Sequence, residues 1–550
     1  MQPTPELQTR TRFPRQEGRA ETLLDDFLNL THARLDRVAL VSYLSGRPEP
    51  VRLTYGRMAE IVDRLALRLL DWGVRPGDFV SFQLPNRWEF TVAHLATIRV
   101  GAISNPIMPI YGKREVRFML ERTRSRVCLG VAIYRKARPG KLLEEIRDEL
   151  DALDHLLLID DGQEDMSLER QLGAREIDEA SRRKLDALKP GSDDLEMILF
   201  SSGTTGEPKG VLHSFNSAWR ATSNSFSTMG MSEADVVLMF SPLAHATGFL
   251  YGVNMPLYCG CRAVLQETWD PAEMLRIVEG ERVTWTMGSA AFARDACDAA
   301  ERAKHDLSSL RCFVSGGAPI PPNLVGRTAR TLGAELVPCW GMTEAGITTI
   351  GRLTDSEDKR ASSDGAPVPG VEVRVVNDRG EVQPPNTPGH LQLKVRGQHV
   401  AYYGNAALYE ASFQDGWFRT GDLGRIDDDG YVRILGRSKD IVIRGGENIP
   451  VIEIENLLLD LPEVADIVIV GVPDERLGER CHAVVKPSPG RKDLRLGDLT
   501  AHLERLEVTK QYWPEFLTLV EEFPRTSTGK IQRFAVRETL VSGRLAGLAR

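Results

Sequence analysis

Apolar residues alternate between helical and strand spacing through the first third of the chain, and this alternation constrains the fold most. From Tyr55 to Val74 they recur near helical spacing, while the apolar run Phe79–Leu84 is typical of a short buried strand. A helix over Trp88–Val100 and a strand over Ala102–Pro106 follow. Strands that alternate with helices predict a parallel sheet covered by helices.

The chain of 550 residues is too long for one hydrophobic core, so we expect more than one domain. The pattern predicts α/β units over about 20–190 and 195–350. Between about 365 and 435, short strands separated by Gly, Pro and Asp turns predict a small β unit. A compact region with both helix and strand patterns follows Asp440. The fold class is therefore α/β, with a small α+β domain at the C-terminus.

A loop rich in hydroxyls and glycine follows the apolar run Met197–Phe200. Its hydroxyls are donors, its glycines let backbone N–H groups approach an anion, and its lysine adds a mobile positive charge. The loop differs from a Walker A motif because Gly210, rather than Ser or Thr, follows Lys209. The chemistry is that of a phosphate cradle. The predicted phosphate-binding residues are Ser201, Ser202, Gly203, Thr204, Thr205, Gly206 and Lys209.

Further motifs follow this loop in chain order. They are Ser241–His245, Ser315–Pro319, Trp340–Glu344, Trp417–Asp422, Gly436–Asp440 with Arg444–Asn448, and Pro524–Lys530. In this order they resemble the adenylate-forming superfamily, which includes acyl-CoA synthetases, the adenylation domains of peptide synthetases and firefly-type luciferases. The similarity covers nearly the whole chain.

The resemblance implies a large N-terminal AMP-binding domain over 1–436, a hinge at 437–440 and a mobile C-terminal domain over 441–550. Lys439 lies at the hinge position, where the small domain pivots between an adenylating and a thioester-forming pose. In the second pose, Gly445 and Gly446 leave room for the pantetheine arm of CoA.

The implied activity is that of an ATP-dependent acyl-CoA ligase that forms acyl-AMP, releases pyrophosphate and then transfers the acyl group to CoA. By resemblance, Thr343 bonds the α-phosphate and Glu344 holds Mg²⁺, which favours few carboxylates plus phosphate oxygens. Lys530 bridges the carboxylate and the α-phosphate. Asp422 accepts hydrogen bonds from the ribose hydroxyls, and Arg437 reaches the same ribose or a phosphate.

The resemblance also implies an adenine site. Trp340 stands where the family usually has a tyrosine stacked on adenine, and its larger ring can take that role. Gly316, Gly317 and Ala318 are small, which would let the adenine and the acyl chain lie against the backbone. The remaining residues of the predicted nucleotide site are Gly341 and Met342.

His245, counted with the catalytic residues, and the apolar segment 246–257 are expected to line the acyl pocket. The start of this segment has no acidic residue, whereas amino-acid-activating relatives place an Asp there. An uncharged hydrophobic acid is therefore favoured. Trp340–Glu344 and Arg444–Val451 are similar to the cyclohexanecarboxylate and short- or medium-chain acyl-CoA ligase branch. An aromatic acid as substrate, or an acyl carrier protein as acceptor, stays an alternative.

Composition excludes other classes. The formal net charge of −8 argues against a general nucleic-acid binder. The seven cysteines include no Cys-x-x-Cys pair and are expected to be free thiols in a reducing compartment. No apolar run reaches the ~20 residues of a membrane span, and Met1–Arg19 lacks the apolar core of a secretion signal. We expect a cytoplasmic enzyme whose partners are small molecules; its oligomeric state stays open.

Two other classes compete. A non-catalytic binding protein would not need His245, Thr343, Glu344 and Lys530 together. A kinase or P-loop NTPase would yield ADP, whereas this chain is expected to yield AMP and pyrophosphate.

Overall fold

The computed structural model describes residues 18–159, 167–173, 176–201, 208–318, 320–395, 399–437, 442–444, 447–449, 451–474, 477–491, 493–506, 508, 510–526 and 530–543. Two large sheets form the body of the chain, and a central helix lies between them. All twelve residues of this helix, Trp88–Arg99, are buried. Strands of both sheets and the helix Tyr55–Asp71 pack against it, which accounts for its burial on every side.

The first large sheet has seven strands, with a parallel centre. Its order from edge to edge is Ala401–Tyr402, Lys209–Ser214, Leu195–Ser201, Ile103–Pro106, Phe79–Gln83, Val127–Val131 and His155–Ile159. Strands Leu195–Ser201 and Lys209–Ser214 are antiparallel, with Ser201 opposite Lys209. The two ends of the predicted phosphate loop are therefore held side by side.

The second large sheet has nine strands and is also parallel through its centre. Its order is Ala366–Pro367, Gly346–Ile350, Glu335–Met342, Cys312–Gly316, Trp285–Gly288, Val236–Met239, Arg262–Gln266, Val38–Tyr43 and Val51–Thr54. The sheets do not follow the boundary expected near residue 190. Val38–Tyr43 crosses to this second sheet, and Leu195–Ser201 belongs to the first.

Helices cover both large sheets. They are Leu23–Ala33, Tyr55–Asp71, Trp88–Arg99, Lys113–Thr123, Pro139–Arg147, Leu168–Leu172, Glu179–Asp186, Phe215–Thr228, Ala246–Gly248, the π-helix Phe249–Asn254, Met255–Cys259, Pro271–Glu281, Ala290–Ala300, Pro322–Leu332 and Glu357–Ser362. No helix of the described residues is both long enough and apolar enough to cross a membrane.

Two smaller sheets complete the fold. The β unit has Val371–Val376, Gly389–Val395, Trp417–Ile426 and Phe413–Gln414 in that order, with Val432–Arg437 paired to Trp417–Ile426 and the helix Ala406–Ala411 beside it. The C-terminal sheet has Glu447–Ile449, Val442–Arg444, Gly478–Pro487 and Val464–Asp474, with Phe516–Leu519 on Gly478–Pro487. Its helices are Val451–Leu458, Leu496–Arg505, the 3₁₀ turn Lys510–Tyr512 and Arg533–Val541. The predicted fold class, α/β with a small α+β unit, is confirmed.

Candidate active site

A cavity of about 610 Å³ lies where strands of the two large sheets end. Leu195–Ser201, Cys312–Gly316 and Glu335–Met342 all reach it with their carboxyl ends, the edge at which open α/β sheets bind ligands. The structure brings most of the predicted site residues into its wall. They are Ser201, Lys209, His245, Gly316, Gly317, Gly341, Met342, Thr343, Glu344, Asp422, Arg437 and Lys530.

A second cavity, of about 620 Å³, adjoins the first and is lined by Ala318 and Trp340. Gly317, Asp422 and Lys530 line both cavities. Eight predicted residues lie outside the described part of the chain, and their roles stay predictions. They are Ser202, Gly203, Thr204, Thr205, Gly206, Lys439, Gly445 and Gly446.

Asp422 lies on the strand Trp417–Ile426 and is buried. The indole N–H of Trp340 donates to Asp422 Oδ2 at 2.9 Å, and Arg437 Nε lies 3.5 Å from Asp422 Oδ1. Burial raises the pKa of Asp422, whereas the Arg437 charge and the Trp340 hydrogen bond lower it. Trp340 thus does more than offer a ring: its N–H holds one oxygen of the predicted ribose-binding carboxylate.

The amine of Lys530 lies beside Gly317. A Cβ at Gly317 would come within 3.0 Å of Lys530 Nζ, and the backbone of Gly317 is left-handed with φ +76°. Burial, and the nearby charge of Arg437, lower the pKa of Lys530 to about 8. A lysine tuned in this way still carries its proton at neutral pH, where it can pair with anionic groups.

The described residues on either side of 527–529 are bonded to each other, with Arg525 bridged antiparallel to Ile531, and to the rest of the C-terminal unit. The backbone N–H of Thr526 donates to the carbonyl of Lys530 at 2.7 Å, and the N–H of Lys530 donates to Thr526 Oγ1 at 3.1 Å. Arg533, just beyond, donates to both oxygens of the buried Glu455, at 2.5 and 2.8 Å. These contacts fix the position of the Lys530 backbone, from which its side chain extends into the cavity.

The segment that leads to His245 is held by a contact between the two large sheets. The side chain of Asn86 donates to the carbonyl of Ser241 and accepts from the N–H of Leu243, both at 2.9 Å. The N–H of Thr247 donates to His245 Nδ1 at 3.3 Å. Burial, and the nearby Lys530 cation, lower the pKa of His245 to about 3. His245 is therefore a neutral ring in the cavity wall.

Thr343 and Glu344 lie in a turn between two strands of the nine-stranded sheet. His213 Nε2 donates to the carbonyl of Thr343 at 2.8 Å, and burial lowers the pKa of His213 to about 4, so it stays neutral. The hydroxyl of Tyr402 donates to Glu344 Oε1 at 2.8 Å. Both predicted residues are thus positioned by side chains from the seven-stranded sheet.

The sequence reasoning did not find Asn86, His213 or Tyr402. Asn86 follows the carboxyl end of a parallel strand, Phe79–Gln83, and a polar residue at such a position is a recognisable signal. His213 and Tyr402 carry no such signal. Their partners are 130 and 58 residues away in the sequence, and strand pairing alone brings them together.

The π-helix Phe249–Asn254 supplies apolar wall to the cavity through Leu250 and Tyr251. The hydroxyl of Tyr251 donates to the carbonyl of Ala221 at 3.0 Å and accepts from the N–H of Ile347 at 2.8 Å. With its hydroxyl occupied, Tyr251 presents only its ring to a ligand. Of the described residues that line this cavity, Glu344 and Asp422 alone are acidic.

The described residues include no group of three or more His, Cys, Asp or Glu able to hold a metal ion. The single carboxylate of Glu344 fits Mg²⁺ instead, because Mg²⁺ commonly takes one or two carboxylates and completes its shell with phosphate oxygens and water.

Comparison with known proteins agrees with this arrangement. Residues 29–403 match the family described as AMP-binding enzyme, and residues 453–530 match the AMP-binding enzyme C-terminal domain. The chain is 32% identical to a medium-chain fatty-acid–CoA ligase of Escherichia coli K12, over 94% of this chain and 90% of the relative. It is also 32% identical to a salicylyl-CoA synthase / salicylate adenylyltransferase of Streptomyces, over 89% of each.

Among solved structures, the anthranilate CoA ligase AuaEII in complex with anthranoyl-AMP superposes with a TM-score of 0.83. The superposition covers 96% of this chain and 98% of that one, at 24% identity. This similarity supports the shared fold.

Proposed function

The chain belongs to the AMP-binding enzyme family, and from this we propose that it ligates CoA to an uncharged, hydrophobic carboxylic acid, either alicyclic or of short to medium chain length. It is an AMP-forming CoA ligase that uses ATP and CoA. The observation that carries the proposal is the placement of Lys530 in the same cavity as His245, Thr343, Glu344 and Asp422.

Two displacements make up the proposed reaction. The carboxylate oxygen attacks the α-phosphorus of ATP, a C–O–P bond forms, and pyrophosphate leaves with the electrons of the broken P–O bond. The CoA thiol, after it loses its proton to water, then attacks the acyl carbonyl as thiolate; a C–S bond forms, the acyl C–O bond breaks, and AMP leaves with the electrons of that bond. Lys530 and Thr343 stabilise the charge that grows on the α-phosphate in the first step, and Asp422 and Arg437 fix the ribose.

Glu344 would hold Mg²⁺ in this scheme, and the cation would neutralise charge on the phosphates. Of the two carboxylates in the cavity wall, Asp422 is held by Trp340 and Arg437, which leaves Glu344 for the cation and supports this assignment. The phosphate loop would act with it, since Lys209 lines the same cavity.

The second displacement requires that Lys530 leave the acyl site. We propose that residues 437–440 are the hinge about which the C-terminal domain, 441–550, turns relative to the large domain, 1–436. Gly445 and Gly446 would then face the acyl group and admit the pantetheine arm. Arg437, the first hinge residue, already lies in the cavity wall, which supports a pivot close to the site.

An uncharged acid is supported by the cavity wall, because its acyl side carries Leu250, Tyr251, Met287 and Ile347 and buried apolar surface favours apolar ligands. The E. coli relative is named for medium-chain fatty acids. The Streptomyces relative is named for salicylate, so an aromatic acid is the second candidate. An acyl carrier protein in place of CoA is the third.

A pyrophosphate-release screen over linear, alicyclic and aromatic acids tests the substrate, run with and without CoA. We expect acyl-AMP without CoA and acyl-CoA with it, strongest for alicyclic or medium-chain acids. Best turnover with aromatic acids would replace the substrate assignment. Acyl-AMP that is never passed to CoA would favour the carrier-protein alternative.

Replacing Lys530 with alanine tests the proposed mechanism. The substitution removes an interaction with the α-phosphate that is stronger in the transition state than in the ground state. It should slow acyl-AMP formation about 10²-fold or more, while thioester formation from supplied acyl-AMP is largely spared. The matched control is Lys510→Ala, since Lys510 is an exposed lysine of the same C-terminal unit. An equal loss in both half-reactions would contradict the role given to Lys530.

We also propose a cytoplasmic location. All seven cysteines are unpaired, which fits a reducing compartment.

A further inference from the structure

Tyr402 lies on the edge strand Ala401–Tyr402 of the seven-stranded sheet. This strand pairs antiparallel with Lys209–Ser214, and Tyr402 is opposite Val211. The N–H of Tyr403 donates to the carbonyl of Gly210 at 2.7 Å. The backbone on both sides of the tyrosine is therefore fixed to the strand that begins at the end of the phosphate loop.

The side chain of Tyr402 reaches from this strand to Glu344. Its hydroxyl donates to Glu344 Oε1 at 2.8 Å, and the neighbouring N–H of His399 donates to the carbonyl of Glu344 at 2.9 Å. Among the described residues, Glu344 Oε2 has no hydrogen-bond partner. One carboxylate oxygen is thus held by the protein, and the other is available to a ligand in the cavity.

The ring of Tyr402 makes a second, separate contact. Lys209 Nζ lies 5.6 Å from the ring centroid, within the range of a cation–π interaction. The ring of His399 also packs against it, at 4.8 Å between centroids. Burial lowers the pKa of His399 to about 3, so this neighbour is neutral and does not compete with Lys209 for the ring.

Tyr402 itself is 5% exposed. Burial, and the negative charge of Glu344, raise the pKa of its hydroxyl.

We propose that Tyr402 is a positioning residue for the ATP site: its hydroxyl orients the carboxylate of Glu344 for the divalent cation, and its ring seats the Lys209 ammonium for the phosphates. The inference rests on the proposed function, because it takes the roles of Glu344 and Lys209 from there. It adds a residue that no motif of the sequence marks, and it assigns separate tasks to its two chemical parts.

The two tasks are separable by mutation. Tyr402→Phe removes the hydroxyl and keeps the ring, while Tyr402→Leu removes both. Tyr403→Phe is the matched control, because successive residues of a strand face opposite sides of the sheet and the ring of Tyr403 packs on Phe79 instead. Glu344→Gln serves as the reference for loss of the cation ligand.

Titration calorimetry with ATP, once with excess Mg²⁺ and once with EDTA, measures the outcome without turnover. For Tyr402→Phe we expect MgATP to bind about tenfold more weakly, the order expected for a lost hydrogen bond to a charged group, while metal-free ATP binds as in the wild type. For Tyr402→Leu we expect weaker binding of metal-free ATP as well. Tyr403→Phe should change neither.

An equal loss for MgATP and metal-free ATP in Tyr402→Phe, or no loss in either, would overturn the inference. If Glu344→Gln changes the ratio of the two affinities and Tyr402→Phe does not, the inference fails while the proposed role of Glu344 stands. If neither variant changes the ratio, both are overturned. As a second measurement, the Mn²⁺ signal of the enzyme–ATP–Mn²⁺ complex in EPR should broaden in Tyr402→Phe and stay as in the wild type in Tyr403→Phe.

Discussion

Trp340→Phe separates two roles that the indole can have toward a nucleotide. Phenylalanine keeps an aromatic face for adenine but has no N–H for Asp422. In the structure this N–H donates to Asp422 Oδ2 at 2.9 Å, and both residues are less than a tenth exposed. The substitution therefore leaves a buried carboxylate with one partner fewer, while Arg437 still lies 3.5 Å from the other oxygen.

The expected magnitude follows from this geometry. A hydrogen bond to a charged group contributes roughly 1.5–3 kcal/mol, and about 1.4 kcal/mol is a tenfold change in affinity. If the bond holds Asp422 in place for the ribose, ATP should bind about 10- to 100-fold more weakly. A ligand without ribose hydroxyls gains nothing from Asp422, so its affinity should fall by no more than about threefold, the cost of a smaller aromatic face.

Calorimetric titrations of ATP and 2′,3′-dideoxy-ATP into wild type and Trp340→Phe test this difference. The matched control is Trp417→Phe, since Trp417 lies on the same strand as Asp422 and its ring packs with Arg374 instead. We expect the preference for ATP over the dideoxy analogue to shrink in Trp340→Phe alone. A similar loss for both nucleotides would mean that Trp340 acts only by stacking. An unchanged preference would refute the role of the hydrogen bond.

Two further predictions concern the C-terminal unit. Because the pKa of Lys530 is lowered to about 8, kcat/KM for ATP in acyl-AMP formation should fall as pH rises through about 8, where the free enzyme loses this cation. Lys530→Arg should remove this decrease of kcat/KM at high pH. A decrease that persists in the variant would mean that another group titrates there. Lys439→Pro should keep acyl-AMP formation and slow thioester formation, because proline fixes φ at the proposed hinge. Separate assays of pyrophosphate release and acyl-CoA decide it, and a variant with both steps intact would contradict the hinge.

Local sequence patterns predicted the elements well, because burial and propensity act within a few residues. The expected helix Trp88–Val100 is Trp88–Arg99, and the expected strand Phe79–Leu84 is Phe79–Gln83. Strand partners were a different matter. Val38–Tyr43 pairs with Arg262–Gln266, more than two hundred residues away. The sequence of a strand with both faces buried does not indicate which strand will pair with it.

The same limit applies to the candidate site. Chain-order motifs predicted the residues of a nucleotide site, and those that the structure describes line the two adjoining cavities. They could not indicate that Trp340 would bond Asp422, since 82 residues separate the pair. The hydroxyl of Tyr402 is a similar case, because its contact with Glu344 depends on an edge strand of two residues.

Lys530 shows why a motif residue must be judged with the unit that carries it. The backbone at Lys530 is bonded within the C-terminal unit, where Arg533 pairs with the buried Glu455. Breaking such a buried pair costs about 3–5 kcal/mol. A bond from Arg294 to the carbonyl of Ala465 at 2.7 Å joins this unit to the rest of the chain and is worth roughly 1.5–3 kcal/mol. We therefore expect Lys530 to leave the cavity by rotation of the whole unit rather than by release of its loop, which is the motion that a pivot at 437–440 permits.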